Sequence, residues 1–222
     1  MIEVSVKAET EKIISNFSQL SASQIANAIT GAINRTLMKG RTVARKAVKD
    51  EYNIPQRYMD RIDKINAKKA NLTGYIVANA TPIPMDAFDP KFENQKSVLS
   101  ITRRGEQKVK AKKKGDVAKG VSIEVHKGSR ETIPFAFMIS GAKPRVFARG
   151  QYRSGGGFGF IQRHTREKKS GSDTPIKPLL SVTVHAAVIN DDVEKKIADE
   201  IIVYYPQRLQ HELNFQLSKM KS

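Results

Sequence analysis

Apolar and polar positions alternate in Ile2-Glu3-Val4-Ser5-Val6, a pattern that predicts a short strand at the start of the chain. A helix is predicted from about Glu9 to Leu20. Ser21-Ala22-Ser23-Gln24 then matches a capping box, in which the first serine accepts from the glutamine N–H and the glutamine side chain reaches back. A longer helix is predicted from there to about Asp50. At 100° per residue, Ile25, Ile29, Ile33, Leu37, Val43, Ala44, Ala47 and Val48 fall within about 140°. Arg35, Lys39, Lys46 and Lys49 occupy the opposite side, so this helix buries one face and shows a basic ridge on the other.

Ile54-Pro55 closes that region, and proline at a first helical position predicts a short helix through Met59 and Ile62. From Asn71 the period changes to two. Strands are predicted at Tyr75 to Ala78, Val98 to Ile101, Val121 to Val125, Ile133 to Ile139, Val146 to Ala148, Phe158 to Ile161 and Leu180 to Ala186. Pro134 removes a ladder donor and sends its strand to an edge. Helix returns at the end, capped by Asn190-Asp191-Asp192, with Asp191, Asp192 and Glu194 at its positive end. Its apolar stripe runs through Val193, Ile197, Ile201 and Tyr204 or Tyr205, then rotates to Leu209, Leu213 and Leu217. Pro206 predicts a kink or a restart. The fold class read from this order is α+β: N-terminal helices, a central, mostly antiparallel β-sheet with long basic loops, and a C-terminal helix packing on the sheet. One domain is expected over 1–222, with a helical part (1–64), a β-rich middle (65–186) and the terminal helix (187–222).

Charge sharpens this picture. Of a net +17, residues 1–64 hold 11 basic and 7 acidic side chains, residues 65–186 hold 23 and 9, and residues 187–222 hold 5 and 6. The densest run is 103–119, with eight basic residues and two acidic ones. Glycines at 105 and 115 predict an exposed loop or tip there, and 149–174, with Gly155-Gly156-Gly157, reads as a second loop. Candidate contacts with DNA or a protein partner are Arg103, Arg104, Lys108, Lys110, Lys112, Lys113, Lys114, Arg149 and Arg153. Such charge meets nucleic acid, phosphate or an acidic protein face, or else only solvates a hairpin tip. The chain has no cysteine, which excludes disulfides, thiolate zinc sites, iron–sulfur clusters and a cysteine nucleophile. MIEVSVKAETEKII lacks an apolar signal core, and no apolar run reaches the ~18 residues of a membrane span, so no membrane partner is expected.

Catalytic chemistry finds little support. None of His126, His164, His185 and His211 has a second ligand at zinc-motif spacing; after His211-Glu212 the matching position is Phe215. No nucleophile elbow, Walker loop or kinase set is present. Gly155-Gly156-Gly157-Phe158-Gly159-Phe160 neither follows an apolar strand nor opens an amphipathic helix, so it lacks the dinucleotide-loop context. With Arg149 and Arg153 it also resembles an RGG-type RNA contact. A metal-dependent nuclease needs clustered acids, which the middle segment lacks. No catalytic residue, metal ligand or cofactor is assigned.

The order of short segments carries a resemblance. Ala32-Ile33-Asn34-Arg35-Thr36 is followed by Ile133-Pro134-Phe135-Ala136-Phe137 and then Val146-Phe147-Ala148-Arg149. Pro175-Ile176-Lys177-Pro178-Leu179 leads into Ser181-Val182, and Arg208-Leu209-Gln210-His211-Glu212-Leu213 closes the series. This succession resembles the phage minor tail protein Z family, the tail completion proteins of long-tailed phages. Where the family often has Gly-Pro-Ser-Val, this chain has Leu179-Leu180-Ser181-Val182, and it carries longer polar insertions around 86–130 and 150–174. The resemblance implies a structural virion protein without catalytic residues. It implies a homo-oligomeric ring, expected to be a hexamer, at the head-proximal end of the tail. Implied partners are a tail terminator or tail tube protein, a head connector or neck protein, and the phage DNA end that passes through on ejection. The implied location is the virion, after assembly in the host cytoplasm. The alternative is a basic nucleic-acid-binding protein outside any virion; a hydrolase comes third.

Overall fold

The computed structural model describes residues 7–95, 97–101, 107–111, 117–139, 145–153, 160–162 and 175–220. They fall into two compact units: a helical one built from residues 1–81 and 183–222, and a β-rich one, 82–182, inserted between them in sequence.

The helical unit rests on two 30-residue helices, α2 (Ala22–Glu51) and α5 (Asp191–Met220), preceded by α1 (Lys7–Ser15). The capping box starts α2 as its chemistry requires: Ser21 Oγ accepts from Gln24 N–H and the Ser21 N–H donates to Gln24 Oε1. The apolar line of α5 is Val193, Ile197, Ile201, Tyr205, Leu209 and Leu213. The matching line of α2 is Ala28, Ala32, Thr36, Gly40, Ala44 and Val48. Both recur every four residues, so bulky ridges on one helix lie against small residues on the other. Gly40 marks the closest approach: a Cβ there would lie 3.2 Å from Ile201 Cδ1 and 2.8 Å from Ile76 Cδ1. Phe17 and Leu20 close the cluster around Ala28, Ala32, Leu209 and Leu213. Each fully buried leucine or isoleucine contributes about 1.5–3 kcal/mol of transfer free energy.

The C-terminal helix was expected on the sheet; its buried stripe lies along α2 instead. Pro206 brings no restart, since α5 is continuous and Ile202, whose carbonyl loses its donor, lies on the exposed side. A single helical turn, α3 (Gln56–Met59), gives way to strand β1 (Ile62–Ile65), so the predicted helix is shorter than its pattern. β1 pairs antiparallel with β2 (Tyr75–Ala78). α2 holds this hairpin through Arg41 and Arg45, which donate to Ile62 O at 3.2 and 3.1 Å. Asn34 makes two hydrogen bonds to the Ala67 backbone.

In the β-rich unit, β3 (Pro82–Pro84) and a 3-10 turn at Met85–Ala87 precede β4 (Lys91–Gln95), β5 (Ser97–Ile101), β6 (Gln107–Ala111) and β7 (Val117–His126). Then come β8 (Ser129–Ile133), β9 (Ala136–Ile139), β10 (Arg145–Tyr152), β11 (Phe160–Gln162), β12 (Ile176–Pro178) and β13 (Leu180–Thr183). β7 runs between β4 and β8, β5 pairs with β6, β13 pairs with β3, and β10 pairs with β9, β11 and β12. Ile83, Phe88, Val121, Ile123, Val146, Ala148 and Leu179 form the interior. Gly120 sits where the β4–β7 register shifts, at φ 127°, and any Cβ would strike Ile133 O. Arg130 ties β8 to the turn before β4, donating to Asp89 O at 2.9 Å and Asp89 Oδ2 at 2.6 Å. Asp89 holds a left-handed φ of 46°.

Several predicted boundaries shift. The strand predicted over Ile133 to Ile139 breaks into β8 and β9, because Pro134 has no N–H to give the ladder. The strand predicted through Ala186 stops at Thr183, whose Oγ1 accepts from Ala186 N–H and starts α4 (Val184–Val188). Of the two predicted loops, 107–111 is strand β6, 117–119 opens β7, 149–152 belongs to β10 and 160–162 is β11. Residues 2–6, 102–106, 112–116, 154–159 and 163–174 lie outside the described residues.

Candidate functional site

Strand β10 reads Arg-Val-Phe-Ala-Arg-Gly-Gln-Tyr over 145–152. Its even positions Val146, Ala148 and Gly150 are buried, and its odd positions Arg145, Arg149 and Gln151 are exposed, as is Arg153 just beyond. Residues opposite one another in an antiparallel pair share a face. Ile139 lies opposite Arg145 and Phe137 opposite Phe147 across β9. Ile176 lies opposite Arg149 across β12, and Ile161 opposite Gln151 across β11. The odd face of β10 therefore joins Ile139, Phe137, Phe147, Ile176 and Ile161 to Arg145, Arg149 and Gln151.

Two features make this face unusual for a lone chain. Ile139, Ile161 and Ile176 are 48%, 42% and 43% exposed. Among the described residues, no carboxylate lies within salt-bridge reach of Arg145, Arg149 or Arg153. Apolar area left wet beside unpaired guanidiniums gives the isolated unit no stability, while arginine and aromatic side chains are enriched where proteins meet.

Ring contacts brace the face itself and the strands behind it. Phe137 and Phe147 stack at 6.3 Å, Phe135 and Phe160 at 6.1 Å, and Tyr152 meets Phe160 edge-on at 5.1 Å. The Tyr152 hydroxyl donates to Pro178 O at 2.9 Å and accepts from Leu180 N–H at 2.8 Å, bridging β12 and β13. Burial pushes the Tyr152 phenol above its ordinary value, partly offset by the Leu180 hydrogen bond. Gly150 has φ 149°, and a side chain there would strike Ile161 O, so β11 closes on β10 only because this position is glycine.

Arg149 and Arg153, expected as contacts, lie on or beside this face. Lys108 and Lys110 fall in β6, at register positions opposite Ser100 and Val98. Arg103, Arg104, Lys112, Lys113 and Lys114 lie outside the described residues. Sequence reading missed Arg145, Phe137, Phe147, Ile139 and Ile176. The alternation from 145 to 153, interrupted at Phe147, was the available signal, obscured by reading Gly150 as a loop residue. Among the described residues, no cluster of His, Asp or Glu has metal-binding geometry, and no helix is long and apolar enough to cross a membrane.

A family model described as prophage minor tail protein Z matches residues 8–222, nearly the whole chain. No curated protein and no solved structure matches.

Proposed function

Because the chain belongs to the prophage minor tail protein Z family, we propose that this phage tail structural protein completes the tail by assembly rather than catalysis. In this reading, copies form a ring at the head-proximal end, join the tail to the head connector, and leave a passage for DNA. The ring is a hexamer, and its neighbours are a tail terminator or tail tube protein and a neck protein. The family match over 8–222 carries the reading. The open face of β10 supports it, since an apolar surface flanked by arginines suits docking. A ring needs a heterologous contact that closes by rotation.

The test is genetic and visual. Phage lacking this subunit should accumulate tails that fail to join heads, and immunogold against the protein should label the neck of wild-type virions. Infectious particles that lack the subunit would overturn the assignment. A second reading is favoured by charge: the β-rich unit holds 21 basic and 9 acidic residues, which fits contact with the DNA end or free nucleic-acid binding. Neutralising Z phosphates gives a log–log salt slope near −0.9Z on duplex DNA. Reversal of Lys112, Lys113 and Lys114 separates the two. Lost DNA affinity supports nucleic acid, and lost assembly supports a protein face.

A further inference from the structure

The open β10 face calls for a cover of opposite charge with its own apolar surface, and the helical unit carries one. The C-terminus of α2 and the N-terminus of α5 meet at one end of that unit, where Asn190 Nδ2 donates to the Tyr52 hydroxyl at 3.3 Å. Asp50, Glu51, Asp191, Asp192 and Glu194 gather there, beside Ile189, which is 42% exposed. Lys49, Lys195 and Lys196 leave the carboxylates in the majority. Asp191, Asp192 and Glu194 favour the positive end of α5, so helix physics accounts for them. It does not account for Asp50 and Glu51, which sit in the last turn of α2 where negative charge opposes the macrodipole. Among the described residues, none of these five carboxylates has a salt-bridge partner.

We propose that the odd face of β10 in one copy docks on this acidic end of the helical unit in a neighbouring copy, an inference that rests on the tail-assembly reading above. Arg145, Arg149 and Arg153 meet the carboxylates, while Ile139, Ile161 and Ile176 lose their water against Ile189. The two patches differ, so the contact is heterologous and leaves each copy able to bind two neighbours. A phosphate backbone suits this face less well, since it would leave the three isoleucines wet.

Sedimentation velocity of the full chain, over a range of concentration and salt, tests the pairing. The wild type should self-associate, more weakly as salt rises. R145E/R149E should weaken association at least tenfold, and so should D50K/E51K, whose lysines suit a helix C-terminus and spare the fold. Mixing the two variants should restore association, as should one chain carrying all four reversals, which also serves as the folding control. Association untouched by either pair, or lost without rescue, overturns the pairing. So does a wild type that stays monomeric. If R145E/R149E abolishes duplex DNA binding and leaves self-association intact, the face reads nucleic acid and the pairing is overturned. Failed rescue with the subunit still present in virions sinks this contact alone; absence from virions sinks the tail role itself.

Discussion

Gly40→Ala sets two known effects against each other at one position. Alanine favours a helix interior over glycine by about 1 kcal/mol, so a position in mid-α2 should gain stability. The new Cβ, however, would sit 2.8 Å from Ile76 Cδ1 and 3.2 Å from Ile201 Cδ1. Both isoleucines are buried, at 4% and 9% exposure, so neither methyl can retreat into water. Overpacking of this kind costs about 1–3 kcal/mol. The clash wins, and the variant should be about 1 kcal/mol less stable than wild type. Ile76→Val removes the nearer methyl and alone costs about 0.5–1.5 kcal/mol. In the double variant the new Cβ fills the space the methyl leaves, so the two losses should fall short of additivity by about 1 kcal/mol. Urea unfolding followed by far-UV circular dichroism reads this directly, with unchanged m-values confirming a comparison of like with like. If Gly40→Ala stabilises by the full helix-propensity gain, or if the two costs simply add, the close approach of α2, α5 and β2 at Gly40 is wrong.

Arg130→Ala should lower the urea midpoint of the β-rich unit, chiefly because the partly buried Ser122 O loses a donor, with Asp89 O and Asp89 Oδ2 losing theirs to water. Lys91 first, and Arg130 after it, hold the Asp89 carboxyl below its ordinary value of 3.8. A lowered folded value means stability that is present above the unfolded value and lost as pH falls through the folded one. Asp89→Asn should therefore flatten the stability–pH curve below about pH 4, seen in melting temperatures across an acid series. Tyr152→Phe leaves Leu180 N–H and Pro178 O without their partner, and should cost about 1–3 kcal/mol in chemical denaturation. Spectrophotometric titration of the wild type should find two tyrosines, Tyr52 and Tyr152, ionising above 10.0, and this variant should lose one of them. Thr183→Ala removes the α4 cap and should lower stability by about 1 kcal/mol, a loss that Thr183→Ser restores.

What the chain revealed before its structure was local chemistry. The Ser21–Gln24 box and the strand at Tyr75–Ala78 depend on neighbours a few residues away, and both form where the pattern puts them. The α2–α5 seam was half hidden because hydrophobic periodicity weights large side chains. Of the predicted face, Leu37, Ala44, Ala47 and Val48 are buried, but Ile25, Ile29, Ile33 and Val43 are only half buried. The line α2 actually buries against α5 is the small one, Ala28 to Val48 in steps of four, since α5 supplies the bulk. Val184 to Ala186 read as strand, but the Thr183 hydroxyl at the end of β13 accepts a helix N–H there, an outcome fixed by which way the chain turns next. The open face of β10 needed register: Ile176 is far from Arg149 in sequence, Ile139 lies across a connection from Arg145, and only pairing places them side by side.

The two-residue beat of β10 separates what the strand must be from what it shows. Val146, Ala148 and Gly150 answer to the interior and to the approach of β11, and a change there is felt by the whole unit. Arg145, Arg149 and Gln151 answer to nothing inside it. Evolution can therefore rewrite the odd letters, changing what the strand displays while the grammar of the fold stays unaltered.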